Sequence, residues 1–220
     1  MVGGEGSSGG VGPLSRPFDQ DLLSGPVLVA ARHLLGAVFE VDGPQGTVAV
    51  TLSEVEAYAG PVDPASHAFR GRTKRNAVMF GPAGFLYVYF VYGMHWCCNV
   101  VTGPDGDASA VLLRAGRVVT GVDLARARRP AARTDVELAR GPARLASALG
   151  LTGPDTGADL LDDASPVRLR TGTPVADADI RTGPRVGVAV AADRPWRLWI
   201  ADDPTVSLYR AATRRRSIPT

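Results

Sequence analysis

The stretch "FLYVYFVYGMHWCCN", residues 85–99, decides the fold. Three of the chain's five tyrosines, Tyr87, Tyr89 and Tyr92, sit there beside Phe85, Phe90 and Trp96. β-Branched and aromatic residues run up to the turn glycine Gly93, and "HWCCNVVT" follows, which reads as two strands joined by a tight turn. The turn signal "GPDGD" and the run "ASAVLLRAG" add a third strand, making a meander. Side chains alternate along a strand. Phe85, Tyr87, Tyr89 and Val91 therefore share one face, and Leu86, Val88, Phe90 and Tyr92 the other. One set can be core while the other lines a surface. Tyr92, just before a turn glycine, is the ring most easily exposed.

Upstream, "SGPVLVAARHLLG" predicts a helix with Ser24 as its cap and Gly36 just past its end. "AVFEVD", the turn "GPQG" and "TVAVTLSEVEAY" predict a hairpin. Residues 60–84 form a long Pro/Gly-bearing loop, a length that in compact domains is usually functional or disordered. Downstream, "TDVELAR" opens on a Thr134/Glu137 capping box, and "GPARLASALG" starts with Pro142 and stops at Gly150, so both read as helical. Later strands are expected at "SPVRLRT", "RVGVAVA" and "WRLWIAD". The class is α+β: a single domain with a curved, mainly antiparallel β-sheet core flanked by helices. Residues 1–15 read as a flexible Gly/Ser-rich extension, 16–212 as the domain and 213–220 as a basic tail.

Composition narrows the classes. Hydrophobic residues make up 45% of the 220, enough to fill one core. No apolar run reaches the roughly 20 residues of a membrane helix, and no secretory signal pattern is present. The expected location is the cytoplasm (nucleoid-associated if bacterial). The two cysteines, Cys97 and Cys98, are adjacent and show no zinc-ligand spacing, so neither metal nor cofactor is expected. Net charge is only +2, yet "RGRTKRN" (70–76) holds four cations, Arg70, Arg72, Lys74 and Arg75, and no acid. Such a run is either a solvated loop or a phosphate contact.

Parity along "VAVTLSEVEAY" puts Val48, Val50, Leu52, Glu54, Glu56 and Tyr58 on one face. If the apolar half points into the core, the same face carries two carboxylates and a tyrosine to its mouth; alternatively the strand has left the core by Glu54 and both acids are solvated. His67 follows Asp63, which can cap, and Pro64, which can begin a helical turn. Asn99 and Arg114 lie on the next two strands and gain meaning only if those strands converge.

Taken together, "SEVEAYAGPVDPASHAFRGRTKRNAVMFGPAGFLYVYFVYGMHWCCNVV" and "AVLLRAG" resemble the 3-methyladenine (alkyladenine) DNA glycosylase family, from about residue 20 to 209. The resemblance implies a monofunctional glycosylase of base excision repair that flips alkylated, and in some cases deaminated, purines out of double-stranded DNA. Glu56 would activate the attacking water, with Glu54 its non-catalytic neighbour, and Arg114 would help hold the water and the target phosphate. Tyr58 and His67 would sandwich the extruded base, Tyr89 would form a third wall, and Asn99 would crowd the amino group of normal guanine. Tyr92 would enter the duplex, and the backbone near Val186 would add a contact to the water. Arg70, Arg72, Lys74 and Arg75 are the phosphate-binding candidates. The expected state is a monomer that binds no membrane. The competing class is a non-catalytic nucleic-acid binding module using the same rings and cations for stacking.

Overall fold

The computed structural model describes residues 16–212; the expected N-terminal extension and basic tail lie outside them. The quoted stretch forms β3 (Leu86–Val91) and β4 (His95–Thr102), paired antiparallel from Leu86–Val100 to Val91–His95. β5 (Ser109–Thr120) lies beside β4 and completes the expected meander. β1 (Val38–Gly43) and β2 (Gly46–Tyr58) form the expected hairpin, closed at Gly43–Gly46. β6 (Val167–Arg170), β7 (Ile180–Gly183) and β8 (Arg197–Ile200) join the same sheet. The order is β3-β4-β5-β2-β1-β6, with β8 on β2 and β7 on β8, and every described pairing is antiparallel.

Helices cover one face. α2 (Val27–Leu34) buries Val27, Ala30, Ala31 and Leu34, a stripe at helical spacing. α4 (Pro142–Leu149) starts at its proline and ends on Gly150 in the left-handed conformation, as its sequence predicts. Leu86, Val88, Val100, Val111 and Leu113 from the meander meet these helices in the main core. On the opposite face a smaller cluster of Ala68, Met79, Tyr87, Val101, Ala108 and Ala110 lies under the 60–84 loop.

Several local expectations are corrected. Ser24 is not a cap; it ends a short separate helix, α1 (Gln20–Ser24), which Asp19 caps, and Pro26 begins α2 without a side-chain bond. The Thr134/Glu137 box does not form. Residues 135–137 make a single 3₁₀ turn, and the Glu137 carboxylate accepts from the Arg133 N–H instead. α3 (Val122–Arg128) was not anticipated. "RVGVAVA" is not a strand, because residues 184–191 leave the sheet to cross the site.

The decisive irregularity is in β2. Its register against β5 shifts between Leu52 and Glu54 and again between Glu54 and Val55, leaving Ser53 and Arg114 without a ladder partner. Val48, Val50 and Leu52 face the main core before the shift, and Val55 and Ala57 face it afterwards. A bulge thus turns the strand over and re-aims the residues beyond it. Gly116 lets the strands close there: a Cβ on it would lie 2.3 Å from the Thr51 carbonyl oxygen.

Candidate active site

Beyond the bulge, Glu54, Glu56 and Tyr58 leave the main core for the other side of the sheet. Neither carboxylate is solvated; Glu54 and Glu56 are both fully buried. Glu56 Oε1 accepts the Val186 N–H at 2.7 Å and lies 3.2 Å from Arg114 Nη1, while Oε2 accepts the Tyr58 hydroxyl at 2.8 Å. Burial, with Glu56 beside it, pushes the Tyr58 hydroxyl well above the usual phenol range, so Tyr58 stays protonated and donates.

Glu54 is the hub behind this pair. It accepts from Arg114 Nε at 2.9 Å, Arg197 Nε at 2.6 Å, and the Ser207 N–H and hydroxyl at 2.7 and 3.0 Å. Burial alone would lower the Arg114 guanidinium, but Glu56 and Glu54 outweigh it and raise it above the usual arginine range. Arg114 meets both acids from a position beside the bulge.

A cleft with about 360 Å³ of empty space adjoins Glu56 through Tyr58. Tyr58, His67, Tyr89 and Asn99 all line it, so the structure brings together the four pocket residues named from the sequence. Tyr87 and Tyr89 lie stacked at 5.5 Å, and His67 meets Tyr89 edge-on at 4.6 Å with its Nδ1 3.2 Å from the Tyr87 hydroxyl. His67 stands exposed at the cleft mouth; partial desolvation there, with Arg75 nearby, lowers its imidazole below the ordinary value of 6.5, leaving it neutral at pH 7. Asn99 is fixed by its amide donating to the Tyr87 carbonyl at 3.1 Å.

Sequence reasoning missed several supports. Tyr87 was placed on the pocket face but not among the pocket residues. Asp63, read as a cap, does accept the Ala65 N–H, but it also forms a buried two-pronged ion pair with Arg185. Burial would raise its carboxyl; Arg185 reverses that and holds it below the usual range. Arg185 in turn stands 4.6 Å from the Tyr58 ring. No local signal marks Arg185. Asn76 ties the loop together, accepting from Thr73 and donating to the carbonyls of His67 and Gly71.

The rim carries the remaining candidates. Tyr92, 84% exposed, has φ 54 beside Gly93 at φ 67, a left-handed pair that turns β3 into β4. For a tyrosine that backbone costs about 1–2 kcal/mol, and its effect is to hold the ring clear of the sheet. Arg70, Arg72 and Lys74 are exposed and enter no ion pair among the described residues. Arg75 is different: it donates to the Phe90 carbonyl at 2.9 Å and lies over Tyr89.

A buried carboxylate bonded to Tyr58, a wall of a ring-lined cleft, is an arrangement suited to hydrolysis beside a flat heterocycle. Comparison with known proteins makes this specific. A family model described as methylpurine-DNA glycosylase (MPG) matches residues 21–204. A Nocardia farcinica protein is 59% identical over 190 residues, covering 84% of this chain and 88% of its own. A Streptomyces avermitilis protein is 52% identical over 206 residues, 93% of this chain and 97% of its own. Both carry the provisional name 3-methyladenine DNA glycosylase. The chain belongs to the methylpurine-DNA glycosylase family. It is a DNA glycosylase, a hydrolase acting on N-glycosidic bonds, with DNA as its substrate and repair as its role. Among the described residues no helix is long and apolar enough to cross a membrane.

Proposed function

We propose that the enzyme extrudes an alkylated purine from duplex DNA into the cleft and hydrolyses its N-glycosidic bond with a water activated by Glu56. The observation that carries this reading is the carboxylate itself, buried, held on both oxygens and bonded to Tyr58, which lines the cleft. Water attacks C1′ of the sugar and Glu56 takes its proton. The C1′–N bond breaks with its electron pair going to the base, and a cationic base such as 3-methyladenine leaves neutral. Such a base needs little help to depart, so one carboxylate that deprotonates water and stabilises positive charge on the sugar suffices.

The cleft suits that substrate. Tyr58 and Tyr89 line it with their rings, and a cation on an aromatic face gains about 0.5–2 kcal/mol. His67 is neutral at pH 7 and adds no like charge. Asn99, whose amide donates to the Tyr87 carbonyl, crowds an exocyclic amino group in this reading. Flipping costs a few kcal/mol; Tyr92 offsets part of it by filling the gap, while Arg70, Arg72 and Lys74 meet phosphates and Arg75 braces the pocket rim. Neutral hypoxanthine and ethenoadenine are candidate substrates beside 3-methyladenine and 7-methylguanine, and base release from duplexes carrying each one separates them. The enzyme acts as a monomer in the cytoplasm.

Glu56→Gln tests the reading. Loss of the general base is expected to slow single-turnover base release by about 10²–10⁴-fold, while affinity for lesion DNA survives. Base release at the wild-type rate would remove Glu56 from the chemistry.

A further inference from the structure

Two aromatic walls of the cleft already stand against a cation. The Arg185 guanidinium lies 4.6 Å from the centroid of the Tyr58 ring, and that of Arg75 lies 5.7 Å from the centroid of Tyr89. Both fall within the roughly 6 Å over which a cation is drawn to an aromatic face. Neither arginine lines the cleft, so each charge acts on it from beyond a ring. The two differ in what answers them. Arg185 is buried and held on both prongs by Asp63, which cancels much of its charge close to its source. Arg75 is exposed, donates to the neutral carbonyl of Phe90 and enters no ion pair among the described residues.

The uncompensated charge of Arg75 reaches three walls of the cleft. It lies over the Tyr89 ring. At His67 it adds to desolvation in lowering the imidazole. At Tyr87 burial pushes the hydroxyl up, and Arg75 works against that rise. The loop holds the arginine there: the amide of the next residue, Asn76, donates to the carbonyls of His67 and Gly71 at 2.9 and 3.1 Å. Bare rings would favour a cationic purine over a neutral one. A ring that already holds one cation attracts a second less, because the like charges repel across it. A neutral purine meets no such penalty.

We infer that Arg75 is a specificity-determining residue, which acts through Tyr89 to weaken the cleft's preference for cationic purines relative to neutral ones. The inference rests on the cleft being the base pocket and adds what sets its choice of charge. Arg75→Gln tests it on otherwise identical duplexes carrying cationic 3-methyladenine or neutral hypoxanthine. The quantity read is the ratio of the two single-turnover release rates at subsaturating enzyme. Differences in how readily each base leaves cancel when that ratio is compared between wild type and variant. The ratio is expected to rise roughly threefold in favour of 3-methyladenine, the size of an exposed cation–π contact. Added salt screens an exposed charge, so the wild-type ratio is expected to climb towards the variant's while the variant's stays level. A change of cleft shape would move the ratio without that salt response, and a phosphate contact alone would slow both releases equally. A ratio unmoved by the substitution, or a wild-type ratio indifferent to salt, would overturn the inference and leave the cleft as the base pocket. Release of 3-methyladenine alone by the wild type would do the same. Release of neither base would overturn the purine pocket and the role of Arg75 together.

Discussion

The wall behind the cleft and the rim around it use charge in opposite ways. Behind the cleft, Glu54, Glu56, Asp63, Arg114, Arg185 and Arg197 are all buried, and each meets an opposite charge. At the rim, Arg70, Arg72 and Lys74 are exposed and unpaired among the described residues, near a tyrosine that stands almost wholly in solvent. A buried ion without a partner costs several kcal/mol, so the inner cations are committed to positioning carboxylates. An exposed cation loses little by waiting unpaired and can exchange its counterions for phosphate. Whether an arginine organises chemistry or binds ligand is thus set by the dielectric around it.

The strongest attempt to break this contrast is Asp63→Asn, which leaves Arg185 buried without its counter-charge. Destabilisation of about 3–5 kcal/mol is expected, read as a fall in melting temperature at pH 7; an unchanged melting point would show the inner pair to be dispensable. The same pair sets an acid limit. The folded carboxyl lies below its ordinary 3.8, so its contribution is fully present above that value and is lost as pH falls through the folded one. Wild type should lose this part of its stability below about pH 4, and the variant should show no such loss.

Glu54→Gln follows. The family resemblance implies that Glu54 is a non-catalytic neighbour whose neutralisation is tolerated. Its bonds to Arg114, Arg197 and Ser207 change that expectation. Hydrogen bonds involving charged groups contribute about 1.5–3 kcal/mol, and excision is expected to fall by a corresponding factor while affinity for undamaged duplex holds. Full activity would place Arg114 under the control of Glu56 alone.

Tyr92→Ala is the rim counterpart. Lost stacking of about 1–3 kcal/mol should slow excision of a well-paired lesion by one to two orders of magnitude and of a mismatched lesion much less, with the melting point unmoved. Equal losses on both DNAs in a destabilised protein would make Tyr92 a structural residue. The smallest effect sharpens the contrast. Tyr92→Gly relieves the left-handed backbone and should raise stability by up to about 1 kcal/mol while excising as poorly as the alanine variant. An inner residue offers no such trade, since there stability and chemistry use the same bonds.

Much of this was legible along the chain. The meander, the two faces of the aromatic strand, the β1–β2 hairpin and the α4 boundaries follow from local rules of alternation, turn glycines and proline placement. Tyr58, His67, Tyr89 and Asn99 could be named, and they do converge on one cleft. Parity also put Glu54, Glu56 and Tyr58 on one face, which is correct, and put Val48, Val50 and Leu52 on that same face, which is not. Alternation holds only along an unbroken ladder, and whether a ladder breaks at Ser53 and Arg114 depends on how closely β2 and β5 approach at Gly116. Asp63 and Arg185 stand 122 residues apart, and the cleft draws on segments from Tyr58 to Ala110. Local sequence therefore determined which elements form and which faces they offer. The bulge, the buried ion pairs and the ring-lined cleft were decided by the tertiary structure, because burial and pairing belong to the space between segments rather than to any one of them.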